Sequence, residues 1–117
     1  MGAKIKSTEL QDKGIFVLEP KGSFIGGDET DDLKFAIREI ADKENLKLII
    51  DLGDVIYLNS TALGVLISAH ANYKKRNGEI KLTRLNKNLE NLFVITKLSL
   101  IFDCFGSQQE AIESFNK

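Results

Sequence analysis

Asp51-Leu52-Gly53-Asp54-Val55-Ile56-Tyr57-Leu58-Asn59-Ser60-Thr61-Ala62-Leu63-Gly64-Val65-Leu66 is the stretch on which the fold turns. The preceding residues, 46–52, read Leu-Lys-Leu-Ile-Ile-Asp-Leu, a short, largely apolar strand with Asp51 near its carboxyl end. Residues 53–58 read as a short link. Asn59-Ser60-Thr61 then opens a helix whose Leu66, Ala69 and Tyr73 share one face, with Leu63, Ile67 and His70 beside it. The helix runs to about Arg76, and Asn77-Gly78 is its stop. The junction therefore carries two hydroxyls and an amide where backbone N–H groups lack intrahelical partners. A hydroxyl there is both a helix cap and a phosphorylation target, since phosphate meets free N–H donors and the favourable end of the dipole. Local physics does not separate the two roles.

Upstream, Lys4–Leu10 and residues 14–19 form two β-rich runs joined by the turn signal Gln11-Asp12-Lys13-Gly14, a hairpin. Pro20-Lys21-Gly22 breaks or bends the second strand, and Gly26-Gly27 ends it. A helix starts at Asp28, with Leu33, Ala36, Ile37, Ile40 and Ala41 at helical spacing and acidic residues in its first turn. Downstream come a strand at 79–85, a helix using Leu89, Leu92 and Phe93, and a short strand Ile101-Phe102-Asp103. A closing helix spans 108–116, capped by Ser107, with Ala111, Ile112 and Phe115 on its buried face. The order β-β-α-β-α-β-α-β-α implies an α/β fold: a mixed, mostly parallel sheet packed with about four helices. At this size the helices are expected to cover one sheet face well. The hairpin then protects the other face or leaves it partly exposed.

The 117 residues suit one domain, 1–117, with one proline and no internal repeat. Sixteen basic and 17 acidic residues give a net charge of −1, which argues against direct nucleic-acid binding. A single cysteine permits no internal disulfide, no apolar run reaches membrane-spanning length, and the start lacks a signal-peptide core. A cytoplasmic location is expected. Catalytic and metal sites are poorly represented. His70, the one histidine, sits mid-helix among apolar residues and reads as structural. Cys104 reads as a small buried hydrophobe, and the two are too far apart in sequence for a zinc spacing. Residues 22–27 precede a helix but lack both P-loop and dinucleotide spacings, so a turn is the plainer reading. Lys74-Lys75-Arg76 suits a solvated helix end. No cofactor is expected.

The quoted stretch resembles the signature of the STAS domain, and more narrowly that of bacterial anti-sigma factor antagonists: a strand ending near Asp-Leu, a short apolar link, then Asp-Ser-Ser-Gly-Leu-Gly-Val-Leu. The element order agrees over nearly the whole chain, as do Gly78-Glu79-Ile80-Lys81-Leu82 and the region from Leu89 through Ser99-Leu100 to Ile101-Phe102. The resemblance places Ser60 at the family's phosphorylated serine. Asn59 stands where the family has aspartate, Thr61 at its second serine and Ala62 at its glycine. The loop after the second strand also departs, lacking the aspartate common there. The resemblance implies a small STAS-like domain without catalytic activity that regulates transcription by binding. Its partner is an anti-sigma factor that is also an ATP-dependent serine kinase; binding releases a sigma factor, phosphorylation of Ser60 is the switch, and a serine phosphatase resets it. The implied partner surface combines Asn59, Ser60, Thr61, Ala62, Leu63 and Gly64 with the loop residues Gly22, Ser23, Gly26, Gly27 and Asp28. The other role open within the fold is an unphosphorylated scaffold or accessory subunit of a signalling or lipid-transport complex.

Overall fold

A computed structural model of the chain describes residues 4–10, 14–25, 27–43 and 46–116. Six strands and four helices follow in the order β1 (Lys4–Leu10), β2 (Ile15–Phe24), α1 (Gly27–Asp42), β3 (Lys47–Asp51), β4 (Asp54–Leu58), α2 (Ser60–Lys75), β5 (Glu79–Thr83), α3 (Lys87–Ile95), β6 (Asp103–Phe105) and α4 (Gln108–Phe115). A 3-10 turn at Leu98–Leu100 links α3 to β6. The sheet order is β1-β2-β3-β5-β6, with β4 also on β2. Only β1 and β2 pair antiparallel. This is the mixed, mostly parallel sheet with four helices expected from the sequence. Gly14, with φ +66°, closes the expected hairpin turn, whose other residues, 11–13, lie outside the described residues.

The strand β4 replaces the link expected at 53–58. Ten-residue β2 pairs first with β3, up to Leu18 opposite Ile50, and then with β4 from Lys21 opposite Asp54. Pro20 lies between these two ladders, so its missing N–H coincides with the gap and the strand runs on rather than breaking. Gly22 (φ +105°) registers with Val55, but Ser23 registers with Tyr57. Ile56 is thus the extra residue of a β-bulge. The bulge breaks period-two alternation, and Ile56 and Tyr57 both stay exposed between buried Val55 and Leu58. That mixed pattern hid the strand.

One sheet face packs Phe16, Leu18, Phe24, Leu48, Ile50 and Leu82 against α1, α2 and α3 through Leu33, Ile37, Leu66, Tyr73, Leu89 and Phe93. The other face is not left to the hairpin. The helix α4 lays Ala111, Ile112 and Phe115 over Ile15, Val17 and Ile49. Beneath α4, buried Lys81 donates from Nζ to Ser114 Oγ at 2.6 Å and lies 4.4 Å from the Phe115 ring centre. Its long stem fills the apolar layer while its charge is met by a hydroxyl and an aromatic face.

Three more expectations shift. The strand β5 stops at Thr83, because Arg84 turns left-handed at φ +57°. The last strand is Asp103–Phe105, not 101–103, because the 3-10 turn occupies the residues before it. Cys104 is consequently exposed on a short edge strand rather than buried.

Candidate functional site

Asn59 makes the junction before α2. Its backbone is extended (φ −82°, ψ 177°), and its Oδ1 accepts from Ala62 N at 2.8 Å, so Asn59 is the N-cap. Its backbone carbonyl accepts from Leu63 N at 3.0 Å. The same residue binds the neighbouring loop: Nδ2 donates to the Ile25 carbonyl at 3.1 Å, and the backbone N–H donates to Phe24 O at 3.0 Å. One asparagine therefore starts α2 and holds the end of β2 against it.

Ser60 follows as the first residue of the helix and is exposed. Asn59 is the cap, so the Ser60 hydroxyl is not needed for it. Thr61 beside it is exposed, whereas Ala62 and Leu63 are buried and support the surface from beneath. Gly64 is half-buried one turn on. Of the loop residues, Gly22 and Ser23 lie half-buried at the end of β2, and Gly27 and Asp28 are exposed at the start of α1. Gly26 lies outside the described residues. The ties to Phe24 and Ile25 thus bring the two sequence segments to one end of the sheet. Sequence reasoning missed an apolar fringe there: Ile25 is 62% exposed, Ile56 68% and Tyr57 50%. The signal was a four-residue apolar run, 55–58, too long for a link yet without strand alternation.

A polar cluster on the α4 face shapes the turn into β4. Asp51, only 2% exposed, accepts from Gly53 N at 2.8 Å, Gln108 Nε2 at 2.7 Å and Arg84 Nε at 3.0 and 3.1 Å. Gln108 Nε2 also reaches Glu19 at 3.1 Å. Burial alone would push the Asp51 carboxyl up. The hydrogen bonds from Gln108, Gly53 and Arg84, with the Arg84 charge, outweigh it and hold the group below its usual value.

His70 packs its ring 5.0 Å from that of Phe102, and burial, then the Lys74 charge, lower its pKa. It is a neutral packing residue, as read from the sequence. Cys104 is exposed as a residue, but its Sγ is part-buried against Phe102 O, and that desolvation, with the Asp103 and Glu90 charges, pushes the thiol pKa up and disfavours the reactive thiolate. Among the described residues no cluster of three or more His, Cys, Asp or Glu could hold a metal ion, and no helix is long and apolar enough to cross a membrane.

A family model for the STAS domain matches residues 9–111. The chain belongs to the STAS family. The anti-sigma-B factor antagonist of Listeria monocytogenes is 39% identical over 71 residues, 61% of this chain and 62% of that protein. The match thus spans less than two thirds of that relative's length. Among solved structures, an anti-sigma factor antagonist from Mycobacterium paratuberculosis superposes with a TM-score of 0.85 at 19% identity, covering 99% of this chain and 96% of the other. The Bacillus cell-fate determinant SpoIIAA in its phosphorylated form gives 0.75 at 12% identity, covering 96% and 99%. At these identities the likeness is one of fold. Within this STAS domain, the departure at Asn59 acquires a structural meaning: its amide donates to Ile25 O, which a carboxylate cannot do.

Proposed function

We propose that this STAS domain is an anti-sigma factor antagonist: a cytoplasmic binding protein, not an enzyme, that captures an anti-sigma factor and frees a sigma factor. The partner is also an ATP-dependent serine kinase, and Ser60 is its acceptor. The observation that carries this reading is the division of labour at the junction. Asn59 caps α2, and Ser60 stands exposed beside that cap without being needed for it. A phosphate on Ser60 would meet first-turn amides and the positive end of the α2 dipole at little cost to the fold. In a partner interface, about −1.5 to −2 charges bring repulsion and desolvation. A penalty of about 3 kcal/mol weakens binding more than a hundredfold. The partner surface comprises Gly22, Ser23, Gly26, Gly27 and Asp28 with Asn59, Ser60, Thr61 and Gly64, over buried Ala62 and Leu63. Ile25 and Tyr57 supply apolar anchors at its margin. A separate serine phosphatase restores the binding form.

The test incubates the protein with the purified anti-sigma kinase of the same organism and ATP, maps the phosphopeptides, and measures affinity. Phosphate is expected on Ser60. Ser60→Ala should bind but no longer be released by ATP, and Ser60→Asp should bind more weakly. Phosphate on Thr61 alone would refute the acceptor. Intact binding with no phosphate would leave an unregulated scaffold, and no binding would remove the antagonist reading.

A further inference from the structure

The helices α1 and α2 leave a groove of about 710 Å³ between them. Its floor is apolar, with Ile37 from α1 and Val65 and Ala69 from α2. Its rim is basic: Lys34, Arg38 and Arg76 face it against the single carboxylate of Asp42. None of these three cations is in an ion pair among the described residues. One end of the groove is formed by Thr61 and Gly64, in the turns that carry Ser60.

Gly64 needs an explanation. It lies inside a sixteen-residue helix, where glycine costs about 1 kcal/mol relative to alanine. Internal crowding does not account for it, because a Cβ built there meets nothing within 4 Å. Nor does its backbone require glycine: its φ is not in the left-handed region. The space above Gly64 is open groove. A residue that stabilises nothing within its own molecule is explained by close approach from outside.

We infer that this groove seats an acidic amphipathic helix of the anti-sigma partner, laid along α2 from Thr61 toward Arg76, with its backbone crossing closest at Gly64. The inference rests on the proposed function, because it extends the Ser60 surface into a second contact with the same partner. From Thr61 to Arg76 a helix rises about 22 Å, so the occupant is about four turns long. Its apolar face meets Ile37, Val65 and Ala69, and its carboxylates meet Lys34, Arg38 and Arg76. This is helix-in-groove recognition with a charge pattern that selects the partner and speeds encounter. Phosphate on Ser60 would stand at the mouth of this groove, where an acidic helix meets added negative charge.

The test measures affinity for the purified anti-sigma kinase, without ATP, at two salt concentrations. The proteins are wild type, Gly64→Leu, a Lys34→Glu/Arg38→Glu double variant and Ser60→Asp, with thermal melts on each. Gly64→Leu fills the end of the groove, and its Cβ meets nothing within 4 Å, so its melting temperature should hold or rise while affinity falls at least tenfold. The double charge reversal should weaken binding at least tenfold and flatten its salt dependence. A Lys34→Glu/Arg38→Glu variant that binds within twofold of wild type, while Ser60→Asp binds weakly, would overturn the groove and leave the proposed function standing, because neither residue belongs to the Ser60 surface. Failure of wild type itself to bind would overturn both. Should Gly64→Leu lower the melting temperature, the charge-reversed protein decides the question.

Discussion

At the scale of a residue, Asn59 does two things at once. Its oxygen caps α2 and its nitrogen holds Ile25. Aspartate would keep the cap and suit the helix dipole, but it has no donor for the Ile25 carbonyl. Asn59→Asp is therefore expected to change unfolding free energy by less than about 1 kcal/mol. Amide exchange at the start of α1 should nevertheless accelerate. Asn59→Ala loses both bonds and should cost about 1–2 kcal/mol. Loop exchange in Asn59→Asp as slow as in wild type would show that the tie does not hold the loop. Tyr73 gives a second residue-scale case. It is wholly buried, its hydroxyl has no hydrogen-bond partner among the described residues, and burial pushes its pKa up to about 12. Tyr73→Phe removes an unmet polar group, so urea unfolding should show stability unchanged or raised by up to about 1 kcal/mol. A clear loss would mean that the hydroxyl is satisfied in solution.

At the scale of an element, two glycines separate what a helix or strand needs for itself from what it does not. A Cβ on Gly78 would stand 2.6 Å from Leu46 Cβ and 2.7 Å from its carbonyl oxygen. Glu79 N also bonds that carbonyl at 2.7 Å, so the backbone there has little room to shift. Gly78→Ala should cost about 1–3 kcal/mol through overpacking. Gly64→Ala, in open space, should instead gain up to about 1 kcal/mol from helix propensity. Paired chemical melts check both signs; equal effects would undo the argument. The same contrast explains which elements were legible in the sequence. The helices α2 and α4 announce themselves by local caps and 3.6-residue spacing, and α1 by its spacing and acidic first turn. The strand β4 does not, because its bulge is set by β2, more than thirty residues away. The short strand β6 slipped from 101–103 to 103–105, because a three-residue strand has no period of its own and is placed by pairing with β5. Of the two segments of the candidate site, 59–64 was legible as a motif, whereas 22–28 read as a turn and entered only through the family resemblance. What joins them, a side-chain bond spanning 34 residues, was not.

At the scale of the whole molecule, the Asp51 cluster fastens α4 to the sheet and the sheet to the turn that leads to Ser60. Glu19 of β2, Asp51 of β3, Arg84 after β5 and Gln108 of α4 meet there. Asp51→Asn leaves one bonded oxygen facing Gln108 or Arg84 as a misplaced donor and weakens the rest. A loss of about 1–3 kcal/mol is expected at neutral pH. The pH dependence has a definite sign. The Asp51 carboxyl titrates below its usual value in the fold, so its charged form is favoured in the folded state. That contribution is complete above the unfolded value, about 3.9, and is lost as pH falls through the lowered folded value. The stability gap between wild type and Asp51→Asn should therefore be constant from about pH 5 upward and narrow below about pH 4. His70 acts in the same direction but at higher pH: its lowered pKa makes folding less favourable as pH falls below about 6.5. That slope is common to both proteins and cancels in the difference. Urea titrations of the pair from pH 3 to pH 8 give the measurement. A gap that widens in acid, or that closes near pH 6.5, would place the linkage on another group.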